Sequence, residues 1–515
     1  MTATRRSPVI IGVGQITDTK SEPTTGRSPL ELMVDVAKKA GEDTAAVTSV
    51  FGEIDSIAVV RSFSDTVPAF RSPYGRLENA PWSVANRIGA TPREYIYPPQ
   101  GGDTPQTLAE RAAGRISEGA SDLALIVGAE ALRTERNAKK AGLQLDWSEG
   151  APEAPNELEG VSTLYSETEV NHGMRSAVAM YALFEQALRQ RKASSLEARR
   201  IELGKLFENF AAVAATNPLA TRREGFSAES ISTLSPTNRY VGYPYTRLMT
   251  ANAFVDQAAA YLICSEEKAD QLGVPIPKRV YLHGSTHGHE EWFVTERNRF
   301  DQSPAIRHVV RSVLETAEIS VKDLSFFDIY SCFASAIEIA ADEIEIPIDD
   351  PRGLTVTGGL PFFGGPGNNY VTHAIAEIVM RLRAKPGSFG LVTANGGLLT
   401  KHAAGLYSTT PPKVAWQSVN ETALQREIDK ASGLKVELDP APEGRATVET
   451  YTIVNGRNGP ERGIIVGRLL DSGRRFVANT PEDAQTLAKL ETIEGLGLTG
   501  RVNATGKINI FTPEF

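Results

Sequence analysis

Cysteine is nearly missing from this chain: 515 residues hold two, Cys264 and Cys332. That excludes a disulfide framework and a four-cysteine zinc site, and it points to a reducing compartment. Long apolar runs are missing as well. Nowhere do about 18 hydrophobic residues follow one another without a charge, so no membrane-spanning helix is available. The run Val9-Ile10-Ile11-Gly12-Val13 behind the first residues is too short for the apolar region of a signal peptide, and we expect a mature cytoplasmic protein. An excess of positive charge is absent too. The 54 Lys and Arg face 63 Asp and Glu for a net −9, which argues against a whole-surface role on nucleic acid or membrane and leaves room only for a local polyanion site. What remains, 41% hydrophobic and 23% charged, is the composition of a soluble globular protein of two to four domains.

The Val9 to Gly14 run reads as a strand buried on both faces. Ser28-Pro29 then supplies an N-cap and a proline at the first helical position, ahead of Leu30, Met33, Val34 and Ala37 at helical spacing. A strand at Ile54 to Val60, helices at Ser83 to Ile88 and Pro105 to Ile116, and strands at Tyr95 to Pro98 and Leu123 to Gly128 complete an α/β layered unit. The order then recurs. Strand Val280 to Gly284 leads to a second Ser-Pro cap, Ser303-Pro304, on a helix with Ile306, Val309, Val310 and Val313. Strand Phe326 to Tyr330, helix Ala334 to Ile344, strand Leu354 to Thr357, helix Tyr370 to Leu382 and strand Phe389 to Thr393 follow. Two similar α/β halves stand side by side.

Between them lies an insertion, with a loop rich in Glu, Pro and Gly at 148–162 and amphipathic helices at Met180 to Leu188 and Ile201 to Ala215. Insertions behind strand ends are where α/β proteins build their binding face. After Pro411-Pro412 the pattern changes to short strands and glycine-rich turns around one helix, Pro481 to Leu490, which predicts a small, separable β-barrel of the OB type. The expected organisation is a first half at 1–131 and 249–270, an insertion at 132–248, a second half at 271–415 and an extra barrel-like domain at 420–515.

The duplicated pattern, the helical insertion and several runs resemble the thiolase superfamily, its sterol-carrier-protein branch above all. The runs are Thr250 to Glu267, Gly128-Ala129-Glu130-Ala131-Leu132, Phe207 to Pro218 and Thr357-Gly358-Gly359-Leu360-Pro361. The resemblance covers roughly residues 8 to 410. It implies duplicated thiolase-fold halves stacked in five αβαβα layers with a helical loop domain. It also implies acyl transfer on coenzyme A through a nucleophilic cysteine, bases and oxyanion donors.

Position by position, that machinery is replaced. The nucleophile loop reads Gln100-Gly101-Gly102-Asp103, without a cysteine. Tyr330-Ser331-Cys332-Phe333 puts a tyrosine where the family orients an oxyanion-hole water. Gly364-Gly365-Pro366 has a glycine where the activating histidine belongs, and Thr393 stands where many members keep a second cysteine. The resemblance therefore implies a CoA- or acyl-CoA-binding protein of lipid metabolism without conventional thiolase activity. Its implied CoA contacts are His172, Met174, Asn252, Phe333 and Gly365. The family dimer pairs through the strand that here runs Tyr95-Ile96-Tyr97 into Pro98-Pro99, which removes two ladder donors, so a monomer is expected.

Other readings stay open. Cys332 is either a small buried hydrophobe or a relocated nucleophile, with Tyr330 beside it and His373 or His402 as base; the chain would then be an active acyltransferase of the acetyl-CoA acetyltransferase type. His283, His287 and His289 follow a strand in a glycine-containing loop, and we expect no metal there. Arg468, Arg474 and Arg475 flank a hairpin turn of the terminal module, and an OB-like barrel can bind single strands on such a face. The chain would then be a scaffold whose last domain takes a protein or nucleic-acid partner.

Overall fold

The computed structural model describes residues 4–161 and 163–515. In chain order the first half contains β1 (Pro8–Thr17), α1 (Pro29–Asp43), β2 (Ser56–Val59), α2 (Ala80–Ile88), β3 (Glu94–Tyr97), α3 (Thr104–Ser117), β4 (Leu123–Ala131) and α4 (Leu132–Lys140). The insertion supplies β5 (Asn156–Glu157), α5 (Ala177–Arg191), α6 (Leu196–Thr216), β6 (Tyr240–Gly242) and β7 (Tyr245–Thr246) before β8 (Asp256–Ser265) closes the half. The second half runs β9 (Val280–His289), α7 (Pro304–Thr316), β10 (Leu324–Asp328), α8 (Ala334–Glu343), α9 (Tyr370–Ala384), β11 (Phe389–Gly396) and β12 (Lys401–Ser408). The last segment holds α10 (Glu421–Ser432), β13 (Gly444–Gly456), β14 (Gly459–Leu469), β15 (Arg475–Asn479), α11 (Ala484–Leu490), β16 (Thr499–Ala504) and β17 (Asn509–Pro513).

Both Ser-Pro caps form as the sequence requires. Ser28 Oγ accepts from the Glu31 amide while the Glu31 carboxylate accepts from the Ser28 amide, and Ser303 Oγ accepts from the Ile306 amide. Each relieves an otherwise orphaned N–H at a helix start. The strands obey one spatial order twice. In the first half it is β1-β8-β4-β2-β3, and in the second β9-β12-β11-β10, the same sequence of places with the third strand missing. The halves join where β1 meets β9. Helices α1 and α2 cover the outer face of the first sheet, α3 and α9 lie between the sheets, and α7 and α8 cover the second, giving five layers. Along β1, Val9 and Ile11 face the α1 side while Ile10 and Val13 face the middle layer, the period-two division of a strand buried on both faces.

The missing third strand is a correction. Residues 355–357 are β-branched and the segment 354–357 reads as a strand, but its donors go to a buried carboxylate. The amides of Val356 and Thr357 and the hydroxyls of Thr355 and Thr357 all donate to Asp328 Oδ2. Strand β12 follows the turn at 397–400, and the His283–His289 segment lies within β9 rather than in a loop.

The terminal strands close as a five-stranded barrel, β13-β14-β15-β17-β16 and back to β13, with β15 and β17 parallel and α11 between the third and fourth strands. Its core is Tyr451, Ile453, Ile465, Phe476, Val502 and Phe511. The barrel is not free of the body. Strand β6 of the insertion pairs with β13 at Gly242 and Val454, Thr450 Oγ1 donates to Leu183 O at 2.7 Å, and Arg189 of α5 grips Glu494 with two bonds of 2.6 Å. Among the described residues no helix is long and apolar enough to cross a membrane.

Candidate functional site

The loop before α3 brings Gly101, Gly102 and Asp103 to the middle of the molecule, beneath the ends of β10 and β11. A Cβ placed on Gly102 would lie 2.3 Å from Tyr330 Oη and 2.5 Å from the carbonyl oxygen of Asn395. The phenol of Tyr330 thus fills the space into which a side chain at 102 would project. Glycine is required here by close approach, not by backbone angle. Tyr330 is held in place by its own amide, which donates to Thr393 Oγ1 at 3.0 Å, and by an edge-to-face contact with Tyr370 at 5.6 Å. Burial pushes its hydroxyl well above the ordinary tyrosine range. Next door, Lys401 Nζ lies 3.1 Å from Asp103 Oδ1 and donates to Gln100 O.

Cys332 and Phe333 sit on the insertion side of this loop. Asn395 Nδ2 donates to Cys332 Sγ at 3.8 Å and to Tyr181 Oη at 2.9 Å, and the Leu399 amide also donates to Tyr181 Oη at 2.9 Å. Phe333 stacks on Tyr181 at 4.5 Å. Tyr181, on α5, therefore ties the end of β11 and its following turn to the segment that carries Phe333, a role that sequence reasoning missed. Burial pushes the Cys332 thiol up to about 12, so at neutral pH it is protonated and a weak nucleophile.

Neither proposed base reaches it. His402 lies on β12 with Nε2 3.4 Å from Ser303 Oγ, and burial pulls it down to about 3. With Tyr330, Thr393 and Leu399 it lines a cavity of ≈ 10 Å³, room for about one water molecule at most. His373, on α9, bonds through Nδ1 to Gln15 Oε1 at 2.8 Å, lies edge-on to Phe363, and is likewise pulled down to about 3 by burial. Both are neutral imidazoles near pH 7, and neither hydrogen-bonds to Cys332.

The other carried-over positions separate into two groups. Asn252 and Gly365 are together: the Gly365 amide donates to Asn252 O at 2.9 Å, and Asn252 Nδ2 reaches Thr221 Oγ1. His172 and Met174 are at the barrel junction. His172 Nδ1 lies 2.7 Å from Thr168 O, its Nε2 accepts from the Asn509 amide at 2.9 Å, and its carbonyl accepts from Asn479 Nδ2. Both ring nitrogens are thereby occupied, and Met174 is wholly buried. The barrel covers the segment expected to face pantetheine.

An open cleft of ≈ 530 Å³ lies beside α3, walled by Pro98, Leu108, Arg111, Val161, Trp292 and Lys401. On its rim, His287 Nδ1 is 3.0 Å from Glu110 Oε2 and its Nε2 is 3.8 Å from Glu421 Oε2. These three bring ligating atoms within 4.8 Å of one another and, among the described residues, are the set that could hold a divalent ion. As they stand, a proton serves the same end. Burial alone would lower His287, but the hydrogen bond and charge of Glu110, with Glu421, outweigh it and lift the imidazole to about 9. The three histidines are not one cluster: His283 bonds to Thr410 O and His289 to Glu290 O. A folded-state value raised above the ordinary one contributes stability that is complete below about 6.5 and lost as pH rises through about 9. The expected result is a melting temperature that falls between pH 7 and 10, and a His287→Gln variant in which that part of the profile is flattened. An NMR titration of the ring placing its midpoint below 7 would contradict this.

Comparison with known proteins fixes the family. Residues 423–507 match the family described as the thiolase-like protein type 1 additional C-terminal domain. Over 98% of this chain and 99% of the other, the fold matches the crystal structure of a monomeric SCP2-thiolase like protein type 1 from Mycobacterium smegmatis, with 36% identity and a TM-score of 0.83. The chain belongs to the SCP2-thiolase-like proteins of type 1. Within the wider superfamily the likeness thins. The peroxisomal 3-ketoacyl-CoA thiolase A of Candida tropicalis is 29% identical over 171 residues, 33% of this chain, and the match spans only 38% of that enzyme's length. An acetyl-CoA acetyltransferase from Syntrophomonas wolfei shares the fold alone, at 16% identity, a TM-score of 0.55 and coverage of 78% of this chain and 99% of that one.

In the loop before α3, a Cβ on Gly102 would meet Tyr330 Oη and one on Gly101 would meet Lys401 Nζ, so the two glycines make room for these two side chains. The terminal arginines do not form a basic face. Arg475 is fully buried against the body, while Arg468 pairs with Glu449 at 3.0 Å and Arg474 with Asp439 at 3.2 Å.

Proposed function

We propose that this chain binds coenzyme A or an acyl-CoA and does not carry out the Claisen condensation or cleavage of a working thiolase. The observation that carries the second half is the filled space at Gly102: there is no nucleophile, and the phenol of Tyr330 stands where one would be. Acyl transfer needs an activated thiol with a base in reach, and Cys332 at about 12, without a histidine contact, does not supply it. What supports a thiol-bearing carrier is the thiolase-like fold together with the cleft beside α3. Its apolar walls suit a pantetheine arm, and Arg111, Arg115 and Lys401 suit its phosphates. The arm then enters along α3, because the barrel covers His172 and Met174.

The expected result is saturable heat in calorimetry with CoA, together with acetoacetyl-CoA thiolysis no faster than in buffer and unchanged by Cys332→Ala. Absent heat removes the carrier reading. Rapid thiolysis that disappears in Cys332→Ala establishes an acyltransferase instead. We further propose that the protein acts as a cytoplasmic monomer. Strand β5 lies along the outer edge of β3, pairing at Ile96 with Asn156 and at Tyr97 with Glu157, so the chain covers its own edge. The Mycobacterium smegmatis relative is described as monomeric.

A further inference from the structure

A second hollow lies at the C-terminal ends of β2 and β4, between α1, α2 and α4, and shares no wall with the cleft beside α3. Crevices outside the carboxyl ends of parallel strands are where α/β sheets take ligands. Its inner part is a narrow slot of ≈ 60 Å³ walled by Leu30, Met33, Val59, Leu77, Tyr97 and Trp147. It opens into a vestibule of ≈ 470 Å³, with which it shares Ser64, Asp65, Ser72, Gly75 and Arg76. Glu130, the next-to-last residue of β4, forms part of the slot and is 3% exposed. Its Oε1 accepts from the Phe63 amide at 2.8 Å and presses on Gly367, where a Cβ would come within 2.2 Å. Among the described residues, Oε2 has no hydrogen-bond partner, and Glu130 has no cation within ion-pair distance.

Two more carboxyls line the same slot. Asp65 accepts from Tyr97 Oη at 2.6 Å, and Glu135 comes from α4. Among the described residues the slot's one basic wall residue is Arg76, exposed at the mouth, and the vestibule adds the exposed Arg71. A buried carboxyl without a counter-charge is costly, and such groups are ordinarily paired or hold a proton. Burial, reinforced by Glu135 and Asp65, lifts Glu130 to about 8. An apolar slot with one free carboxyl oxygen, further acids beside it and aromatic rings in its wall has the chemistry of a cation receptor.

We propose that this hollow binds a small organic cation, a primary alkylammonium whose head pairs with Glu130 and whose carbon chain lies against Leu30, Leu77 and Trp147. The slot is too narrow for more than a slender head and chain, and larger substituents fall in the vestibule.

The experiment is titration calorimetry of the full chain with n-butylammonium chloride, n-butanol and sodium butyrate. The expected result is one saturable site for the ammonium and none for the alcohol or the acid. In Glu130→Gln, which keeps the bond from Phe63, affinity falls at least about tenfold, the loss of one charge-assisted contact. The three-ligand series on the wild-type chain needs no variant to fold. Butanol binding as tightly as the ammonium, no ammonium site at all, or Glu130→Gln binding with unchanged affinity would each overturn the proposal.

Discussion

Replacing Arg475 with methionine is expected to loosen the terminal barrel from the body and to cost about 3 kcal/mol in urea unfolding. The guanidinium on β15 is fully buried. It donates to the carbonyls of Thr295, Arg297 and Asn298, binds Glu449 through Nε and Nη2, and lies over the Phe300 ring at 4.8 Å. Methionine would fill much of the volume but leave three carbonyls without donors in a buried junction, each a penalty of about 1 kcal/mol or more. Glu449 would not be stranded, because Arg468 also holds it at 3.0 Å, which keeps the cost at the low end of what a broken buried pair exacts. The barrel's own core contains no residue of the broken contact. It should therefore persist, so that the variant is expected to unfold in two transitions where the wild type unfolds in one, and proteases to cut the segment at 411–420, which has no regular structure. An Arg475→Met chain that unfolds in one transition at the wild-type urea concentration would show that the junction is held by other contacts.

How far this junction could be foreseen marks the limit of the sequence. Elements set by local chemistry were legible: both Ser-Pro caps, the apolar strands β1 and β4, and the barrel strands other than β16 (Thr499–Ala504). Elements set by distant partners were not. The segment Lys401–Ser408 holds two alanines, a glycine and no β-branched residue, and becomes a strand because β9 and β11 flank it. Thr355-Val356-Thr357 has strand composition, yet Asp328 takes its amides. Arg475 looks like one of three surface arginines until residues 295–298 are brought to it. The candidate site divides the same way. The replaced positions on the two halves could be aligned from loop motifs, but Tyr181 carries no motif and sits more than 200 residues from Asn395, which it anchors. Glu130 lay within a run quoted for its family likeness; only the fold reveals that no cation meets it.

The second large effect concerns Gly102. Gly102→Ala is expected to destabilise the protein by about 2 kcal/mol, within the usual cost of overpacking a filled core. The added methyl would meet Tyr330 Oη at 2.3 Å, Tyr330 Cζ at 2.9 Å and the Asn395 carbonyl at 2.5 Å, and a backbone oxygen cannot swing aside as a side-chain end can. Tyr330→Ala alone should cost about 3 kcal/mol, because it leaves a cavity among Tyr370, Thr393 and the neighbouring core. Together the two changes should cost less than their sum, since the methyl then enters space the ring has left; contacting residues typically couple by 0.5–3 kcal/mol. Strict additivity in a double-mutant cycle would mean that the ring does not occupy the place of the missing side chain. The same geometry governs activity. Gly102→Cys puts a thiol into the loop that resembles the family's nucleophile loop, but against a phenol, beside Lys401 and Asp103, with His373 and His402 both neutral and turned to other partners. No thiolysis of acetoacetyl-CoA is expected from it, and none from Gly102→Cys combined with Tyr330→Ala, because emptying the space restores room without restoring a base. Turnover by either variant would show that the scaffold supplies a proton acceptor other than His373 and His402, and Lys401 would be the first to replace.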